Sequence, residues 1–127
     1  MIPGIYHLII YLPQNTIVSI GKLGTFKLPV GYYVYTGSAL RGLEARISRH
    51  FRRKKRFQWH IDYLLEYGQI AGITTYQTIE RLECSCNQKI LMLPGCEIPI
   101  KGFGSSDCKC VSHLAYFEKK PCIYRDI

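Results

Sequence analysis

The sequence of 127 residues lacks any apolar run long enough to cross a membrane. It also lacks a basic N-terminal region followed by an uninterrupted apolar stretch and a small-residue cleavage site. Internal repeats, low-complexity tracts and linkers are absent, and the chain is too short for two ordinary domains. We therefore expect a cytoplasmic protein with one domain, residues 1–127, and no membrane partner.

Acidic residues are scarce, with 9 Asp and Glu against 17 Lys and Arg. Residues 41–56, here called the basic segment, contain eight basic residues and one acid, Glu44, and so carry +7 of the formal net charge of +8. Neutralising phosphates releases counterions, so charge concentrated in this way suits nucleic-acid binding. A solvated helix face that keeps the protein soluble is the alternative. The position of the segment directly after Tyr35-Thr36-Gly37 favours nucleic acid.

Six cysteines without a secretion signal indicate reduced thiols or metal ligands rather than a disulfide framework, unless the source is hyperthermophilic. Cys84-x-Cys86 and Cys108-x-Cys110-x-x-His113 could supply a tetrahedral ligand set for a structural zinc ion. The one-residue spacing between cysteines is shorter than is usual in zinc sites. The pattern therefore favours buried cysteines that act as small hydrophobic residues.

Hydrophobic periodicity predicts an α/β (α+β) fold with a mixed, mainly antiparallel sheet flanked by helices. The continuous apolar run Gly4–Leu12 is typical of a central strand covered on both faces. Further strands are predicted at 16–20, 25–28, 32–36, 70–76 and 112–117. Helices are predicted at 43–54, 58–67 and 80–93.

The first predicted helix has two adjoining stripes. At helical spacing, Leu43, Ile47 and Phe51 would face the sheet, while Arg46 and His50 would border its edge. Three other basic residues would point away from the core: Arg52, Lys55 and Arg56. An arginine and a histidine one helical turn apart can hold a phosphate and relay a proton.

Gly4-Ile5-Tyr6 and Tyr35-Thr36-Gly37 resemble the two motifs that name the GIY-YIG nuclease superfamily, although Thr36 stands where Ile or Val is usual. More narrowly, the chain resembles the compact GIY-YIG-like domain family of unknown function that is sometimes fused to endonuclease III-type repair enzymes. The segments that carry this closer resemblance are 21–24, 31–33, 59–62 and 102–108. The interval between the two motifs is longer than in typical members, so we expect an extra N-terminal hairpin.

The resemblance implies a metal-dependent endonuclease that hydrolyses DNA phosphodiester bonds in repair or recombination. Its candidate catalytic residues are Tyr6, which would activate water, Tyr35, which would complete the hydrogen bonding, Arg46, which would hold the phosphate, and His50, which would assist proton transfer. Glu83 would bind a single Mg²⁺ or Mn²⁺ ion. Glu80 and then Asp107 are alternatives for the metal ligand. Taken singly, each tyrosine could equally be a core aromatic.

DNA is the expected partner, RNA is an alternative, and a repair protein could supply substrate targeting. The candidate nucleic-acid-binding residues are Arg49, Arg53, Lys54 and Lys22. Trp59 is expected to pack in the core rather than to stack on bases. Two other functions stay open: a nucleic-acid-binding module with the same fold and little or no catalysis, and a cysteine-centred metal-binding regulatory protein.

Overall fold

The computed structural model describes residues 2–123 of the chain. Within them, six strands and three helices follow one another in this order: β1 (Gly4–Leu12), β2 (Thr16–Ile20), β3 (Gly24–Leu28), β4 (Gly31–Ala39), α1 (Leu43–Phe51), α2 (His60–Leu65), β5 (Gln69–Gln77), α3 (Glu83–Leu91) and β6 (Leu114–Phe117). No helix among these described residues is both long and apolar enough to pass through a membrane.

Four strands form one sheet in the order β5-β1-β4-β6, and every pairing in it is antiparallel. The strand β1 lies inside this sheet, and all of its residues except Tyr11 are buried. The predicted central strand is therefore confirmed, as is the α+β fold with helices beside an antiparallel sheet. In the β1–β4 pairing Tyr6 lies opposite Gly37, so the two glycine-tyrosine motifs are neighbours across one ladder.

The strands β2 and β3 pair only with each other among the described residues and form the extra hairpin between the two motif strands. Val18, Ile20 and Leu28 are buried and join the main core, whereas Ile17 is 63% exposed. Buried and exposed side chains thus alternate along the hairpin, as expected for a two-stranded ribbon with one buried face.

Apolar side chains cover both faces of the four-stranded sheet. On one face, Tyr6, Leu8 and Ile10 of β1 pack with residues of the hairpin, α1 and α2. On the other face, a smaller cluster includes Ile9 from β1 and Ile90 from α3. Because side chains along a strand alternate between faces, β1 contributes to both cores.

The helix α1 ends at Phe51, three residues earlier than predicted, and two of its side chains differ from expectation. Phe51 is 56% exposed rather than buried, and His50 is the buried residue of the last turn. Lys55 does not point away from the core, because its Nζ donates hydrogen bonds to the carbonyls of Arg49 and His50 at 3.2 and 3.0 Å. Carbonyls in a last turn lack the usual N–H partner four residues on. The Arg52 N–H donates to the carbonyl of Arg49 at 3.1 Å, and Lys55 adds a second bond there and supplies one to His50.

The other two helices are also shorter than predicted, for local reasons. Before α2, the Asp62 carboxylate accepts hydrogen bonds from the backbone N–H groups of Gln58 and Trp59, which holds these residues outside the helix. Before α3, the Thr78 hydroxyl oxygen accepts a hydrogen bond from the Glu80 N–H, which is typical of a turn. Competition from such side chains is the usual reason why periodicity overestimates helix length.

An ion pair between Arg49 and Asp62 joins α1 to α2. Arg49 Nη1 and Nη2 each donate to one carboxylate oxygen of Asp62 at 2.9 Å, and the Asp62 side chain is fully buried. Burial opposes the charge on Asp62, but these bonds and the two backbone donors outweigh it and hold the carboxyl pKa below its usual range. The pair therefore stabilises the fold in its charged form.

Asp62→Asn should lower the free energy of unfolding by about 2 kcal/mol near neutral pH, because it removes charged hydrogen bonds and leaves Arg49 unpaired. Since the folded-state pKa of Asp62 is depressed, its stabilisation is complete above the pKa of a free aspartate and is lost as the pH falls through the folded value. Urea unfolding of both proteins from about pH 7 to about pH 3 should show the difference shrink. Glu44→Gln is the charge-matched control on the exposed face of α1, and a deficit as large as that of Asp62→Asn would contradict the prediction.

Candidate active-site cleft

A cleft of about 390 Å³ opens where β4, α1, α2, the start of α3 and residues 102–108, here called the glycine-rich loop, meet. Three residues predicted from the sequence line it: Tyr35, Arg46 and Glu83. The remaining lining residues are Ser38, Gln58, Trp59, His60, Gly104, Ser106 and Asp107. Side chains far apart in the sequence therefore meet around one concave site.

Tyr6 and His50, the other two predicted catalytic residues, do not line this cleft and are buried behind Tyr35. The Tyr6 hydroxyl and His50 Nε2 share a hydrogen bond of 2.7 Å, and the two side chains are 1% and 3% exposed. The Tyr35 ring lies 6.3 Å from that of Tyr6 and 6.2 Å from that of His50, between centroids. Tyr35 is thus the tyrosine on the cleft wall, and Tyr6 lies behind it.

The glycine of Tyr35-Thr36-Gly37 makes room for the Tyr6 ring. A Cβ atom at Gly37 would lie 2.5 Å from the Tyr6 hydroxyl oxygen and 2.6 Å from the ring carbon that bears it. No side chain fits at that distance, so Tyr6 can cross β4 to reach His50 only if this position is glycine.

The titration properties of the buried pair follow from burial. Burial is the main cause that lowers the His50 pKa to about 4, and the positive charge of Lys55 adds to it. Burial likewise raises the Tyr6 pKa, against the opposing charge of Arg46. Both groups are therefore neutral at physiological pH. The His50 Nδ1 atom has no protein partner among the described residues, so the other ring nitrogen alone sets the orientation of the ring.

Arg46 is held in place before any ligand arrives. Its Nη1 donates a hydrogen bond to the Ser38 carbonyl at 3.0 Å, and its guanidinium lies 4.4 Å from the centre of the Trp59 ring. Arg49 lies at 4.2 Å from the same ring. Trp59 packs against the core as predicted, and it also serves as a platform for two arginines, which the sequence did not indicate.

The four predicted nucleic-acid-binding residues have different surroundings. The charge of Arg49 is already paired with Asp62, which makes it a weaker candidate for phosphate contact. Arg53 and Lys54 are exposed in the connection after α1, and Lys22 is exposed in the turn of the β2–β3 hairpin. The basic segment is therefore a helix followed by an irregular stretch, not one continuous helix.

Glu83 begins α3 and accepts a hydrogen bond on Oε2 from His113 Nδ1 at 3.0 Å. Burial opposes its charge, but the hydrogen bonds from His113 and Ser38 outweigh burial and hold the Glu83 pKa below its usual range. Glu83 is thus a partly exposed, ionised carboxylate on the cleft wall. Glu80, the first alternative, is exposed before α3 and does not line the cleft, whereas Asp107 does.

Cys84, Cys108, Cys110 and His113 form a cluster, here called the cysteine cluster, whose ligand atoms all lie within 4.8 Å of one another. This arrangement could hold a metal ion. Cys86 is outside the cluster and fully buried, as expected for a cysteine that acts as a small hydrophobic residue. The short Cys-x-Cys spacing argued against a metal site when each segment was considered alone. In the structure the possible ligands come from two segments that meet in space.

Thr36 and the glycine-rich loop connect these parts. The Thr36 hydroxyl shares a 2.9 Å hydrogen bond with His7 Nδ1, which explains a polar residue where the superfamily usually has Ile or Val. The Thr36 carbonyl accepts a hydrogen bond from His113 Nδ1 at 3.1 Å. A Cβ at Gly104 would lie 3.1 Å from the Tyr35 ring, and the Gly104 N–H donates to His60 Nδ1. The loop therefore braces the cleft.

The model of a family described as Domain of unknown function DUF123 matches residues 5–127. The chain belongs to this family. No curated protein and no solved structure matches the chain. The family description names no activity, so the likeness to GIY-YIG nucleases stays a prediction and the function is argued from the cleft.

Gly37→Ala should destabilise the protein by about 1 to 3 kcal/mol, because the added methyl group must push Tyr6 away from His50. Gly72→Ala in β5 is the matched control. Its new Cβ would meet chiefly the end of the Ile9 side chain, at 3.2 Å, which can rotate aside. Urea unfolding compares the two variants, and the NMR signals of His50 report its hydrogen bond. Equal stability of the two variants would mean that Tyr6 does not occupy this position.

Proposed function

We propose that this chain is a metal-dependent endonuclease of the GIY-YIG type that hydrolyses DNA phosphodiester bonds in the cleft. One observation carries the proposal. Of the five residues predicted from the sequence, Tyr35, Arg46 and Glu83 line one cleft, and the hydrogen-bonded pair of Tyr6 and His50 is buried behind Tyr35. The family resemblance of the motifs supports the same reaction.

Arg46 would bind the scissile phosphate. Its guanidinium has five N–H donors, of which one, on Nη1, donates to the Ser38 carbonyl. The other donors are available for phosphate oxygens. The Trp59 ring at 4.4 Å and the Ser38 carbonyl hold the group in place, so little reorganisation is needed when charge develops on the phosphoryl oxygens. A preorganised donor of this kind stabilises the transition state more than the ground state.

Tyr6 and His50 would handle the proton of the attacking water. In this step the water oxygen attacks phosphorus as the bond from phosphorus to the 3′ oxygen breaks, and the 3′ oxygen leaves with the electron pair of that bond. The water proton moves to the Tyr6 oxygen and the Tyr6 proton moves to His50 Nε2. His50 is neutral at physiological pH and so can accept a proton, although its pKa of about 4 makes it a weak base. A phosphate bound beside it would raise that pKa. Tyr35, on the cleft wall, would hydrogen-bond the water or the phosphate.

Glu83 fits the requirements of a magnesium ligand. An ionised carboxylate has about four acceptor sites, so the hydrogen bonds from His113 and Ser38 leave room for a metal ion, and the depressed pKa keeps Glu83 ionised. Mg²⁺ keeps most of its waters and binds proteins through one or two carboxylates, and Asp107 lines the same cleft. Mg²⁺ or Mn²⁺ held there would stabilise the leaving 3′ oxygen.

A nucleic-acid-binding module with little catalysis is the second candidate, and the burial of Tyr6 favours it. A residue with 1% exposure must be reached by water before it can act as a base. The two candidates agree on nucleic-acid binding and differ in whether wild-type protein cuts DNA at all.

Arg46→Ala should lower single-turnover cleavage by about 10² to 10³-fold, the usual effect of removing one transition-state donor. Labelled branched, flapped, single-stranded and duplex DNA, and their RNA counterparts, are incubated with Mg²⁺ or Mn²⁺ or with neither ion. The ions are withheld rather than chelated, because a chelator would also remove any metal that the cysteine cluster holds. Arg46→Lys, which keeps the charge but loses the planar fork, should recover only a small part of the rate.

The control is Lys27→Ala on β3, which removes one exposed positive charge that does not line the cleft. It should cleave at the wild-type rate. Wild-type protein that cuts none of these substrates would reject the enzyme and leave the binding module. Cleavage by Arg46→Ala at the wild-type rate would reject the assigned site.

DNA affinity should fall steeply with salt, and replacing Arg53 and Lys54 with alanine should reduce the slope of log K against log salt by up to about 0.9 for each phosphate that is no longer neutralised. Both side chains are exposed and carry no described partner. Lys27→Ala combined with Lys119→Ala removes the same charge elsewhere and should leave the slope nearly unchanged. Identical slopes for the two double variants would show that the basic segment does not contact phosphates.

A further inference from the structure

We propose that Cys84, Cys108, Cys110 and His113 bind one structural zinc ion, and that this ion positions the two acidic residues of the cleft. The zinc site stands on its own geometry and does not require the chain to be a nuclease. It is therefore tested by metal content and affinity, not by cleavage.

The distances in the cysteine cluster suit a tetrahedral ion. His113 Nε2 lies 3.3 Å from Cys108 Sγ and 3.9 Å from Cys84 Sγ, and no two ligand atoms are more than 4.8 Å apart. Zinc binds sulfur at about 2.3 Å and nitrogen at about 2.0 Å, which places tetrahedral ligand atoms roughly 3.5 to 3.8 Å from one another. The cluster therefore needs only a small contraction to close around the ion.

The orientation of His113 independently supports metal binding. Its Nδ1 faces two acceptors, the Glu83 carboxylate and the Thr36 carbonyl, at 3.0 and 3.1 Å. A neutral imidazole that donates from Nδ1 has its lone pair on Nε2, and that atom faces the thiols. A carboxylate that orients a histidine in this way is the usual outer partner of a zinc ligand.

The chemistry of the four ligands selects zinc. Thiolates are soft ligands, and three of them with one imidazole form a tetrahedral set without an open position, as in structural zinc sites. A disulfide would use two of the thiols but would leave His113 Nε2 without a role. A long contact of 3.8 Å, in which Gln88 Nε2 donates to Cys110 Sγ, also links α3 to the loop before β6.

Zinc at this position would hold the cleft together. Cys84 follows Glu83 in the first turn of α3, and Cys108 follows Asp107 in the loop. Both acids line the cleft. By binding Cys84 and Cys108, the ion would hold the two acids at a fixed distance from each other. Glu83 would then have two functions, because it orients a zinc ligand and faces the cleft.

Protein purified under reducing conditions should contain about one equivalent of zinc, or take up one when zinc is added. Cys108→Ser should lose most of it, whereas Cys96→Ser and Cys122→Ser, which remove cysteines outside the cluster, should keep it. Replacing zinc with Co²⁺ should give thiolate charge-transfer and tetrahedral d–d absorption in wild type. Glu83→Gln should bind zinc about tenfold more weakly in competition with a chelator, because it loses the outer carboxylate.

If Cys108→Ser fails to fold, the Co²⁺ spectrum of Cys84→Ser decides, since the exposed Cys84 is the ligand least buried in the fold. A loss of one thiolate from that spectrum would support the site. Wild type that binds no zinc, binds it equally in the Cys108 and Cys122 variants, or forms a disulfide within the cluster under reducing conditions would overturn the proposal.

Discussion

The antiparallel pairing of β1 with β4 is the constraint on which the site depends. Its register places Tyr6 opposite Gly37 and His7 opposite Thr36, so the two motifs are in direct contact. Gly37 leaves space for the Tyr6 ring, and the Thr36 hydroxyl satisfies the buried His7. A shift of one residue would turn every β1 side chain to the opposite face and separate Tyr6 from His50. The geometry of the candidate site is therefore a consequence of backbone pairing as much as of side-chain chemistry.

Buried polar contacts then fix the parts that the sheet does not reach. Asp62 binds Arg49 and the backbone before α2, which places Trp59 against both Arg46 and Arg49. His113 connects Thr36 of β4 with Glu83 of α3. Buried charges and polar groups of this kind are costly unless they are paired, so each one restricts the arrangement of its neighbours. The cleft is formed between two such networks.

The sequence predicted the features that rest on local pattern. The apolar run of β1 and the existence of each helix follow from periodicity, whereas the extra hairpin was expected from the long interval between the two motifs. The first helix ends three residues earlier than predicted, where the backbone of Arg52 is extended and Lys55 binds the carbonyls of Arg49 and His50. Periodicity alone could not show that His50 rather than Phe51 is buried, since its burial depends on the Tyr6 hydroxyl. Periodicity also could not predict that Cys84 and Cys108 lie close together, because they belong to segments that are distant in the chain.

The distribution of charge separates binding from chemistry. The cleft itself contains one arginine, Arg46, together with Glu83 and Asp107, so its own charge is not strongly positive. Arg49 is neutralised by Asp62, and the exposed cations of the basic segment lie outside the cleft lining. If the proposed function holds, attraction of DNA would come mainly from that outer surface, while the cleft would orient one phosphate. In such an arrangement affinity depends on salt and on many weak contacts, whereas reactivity depends on a few rigidly held groups.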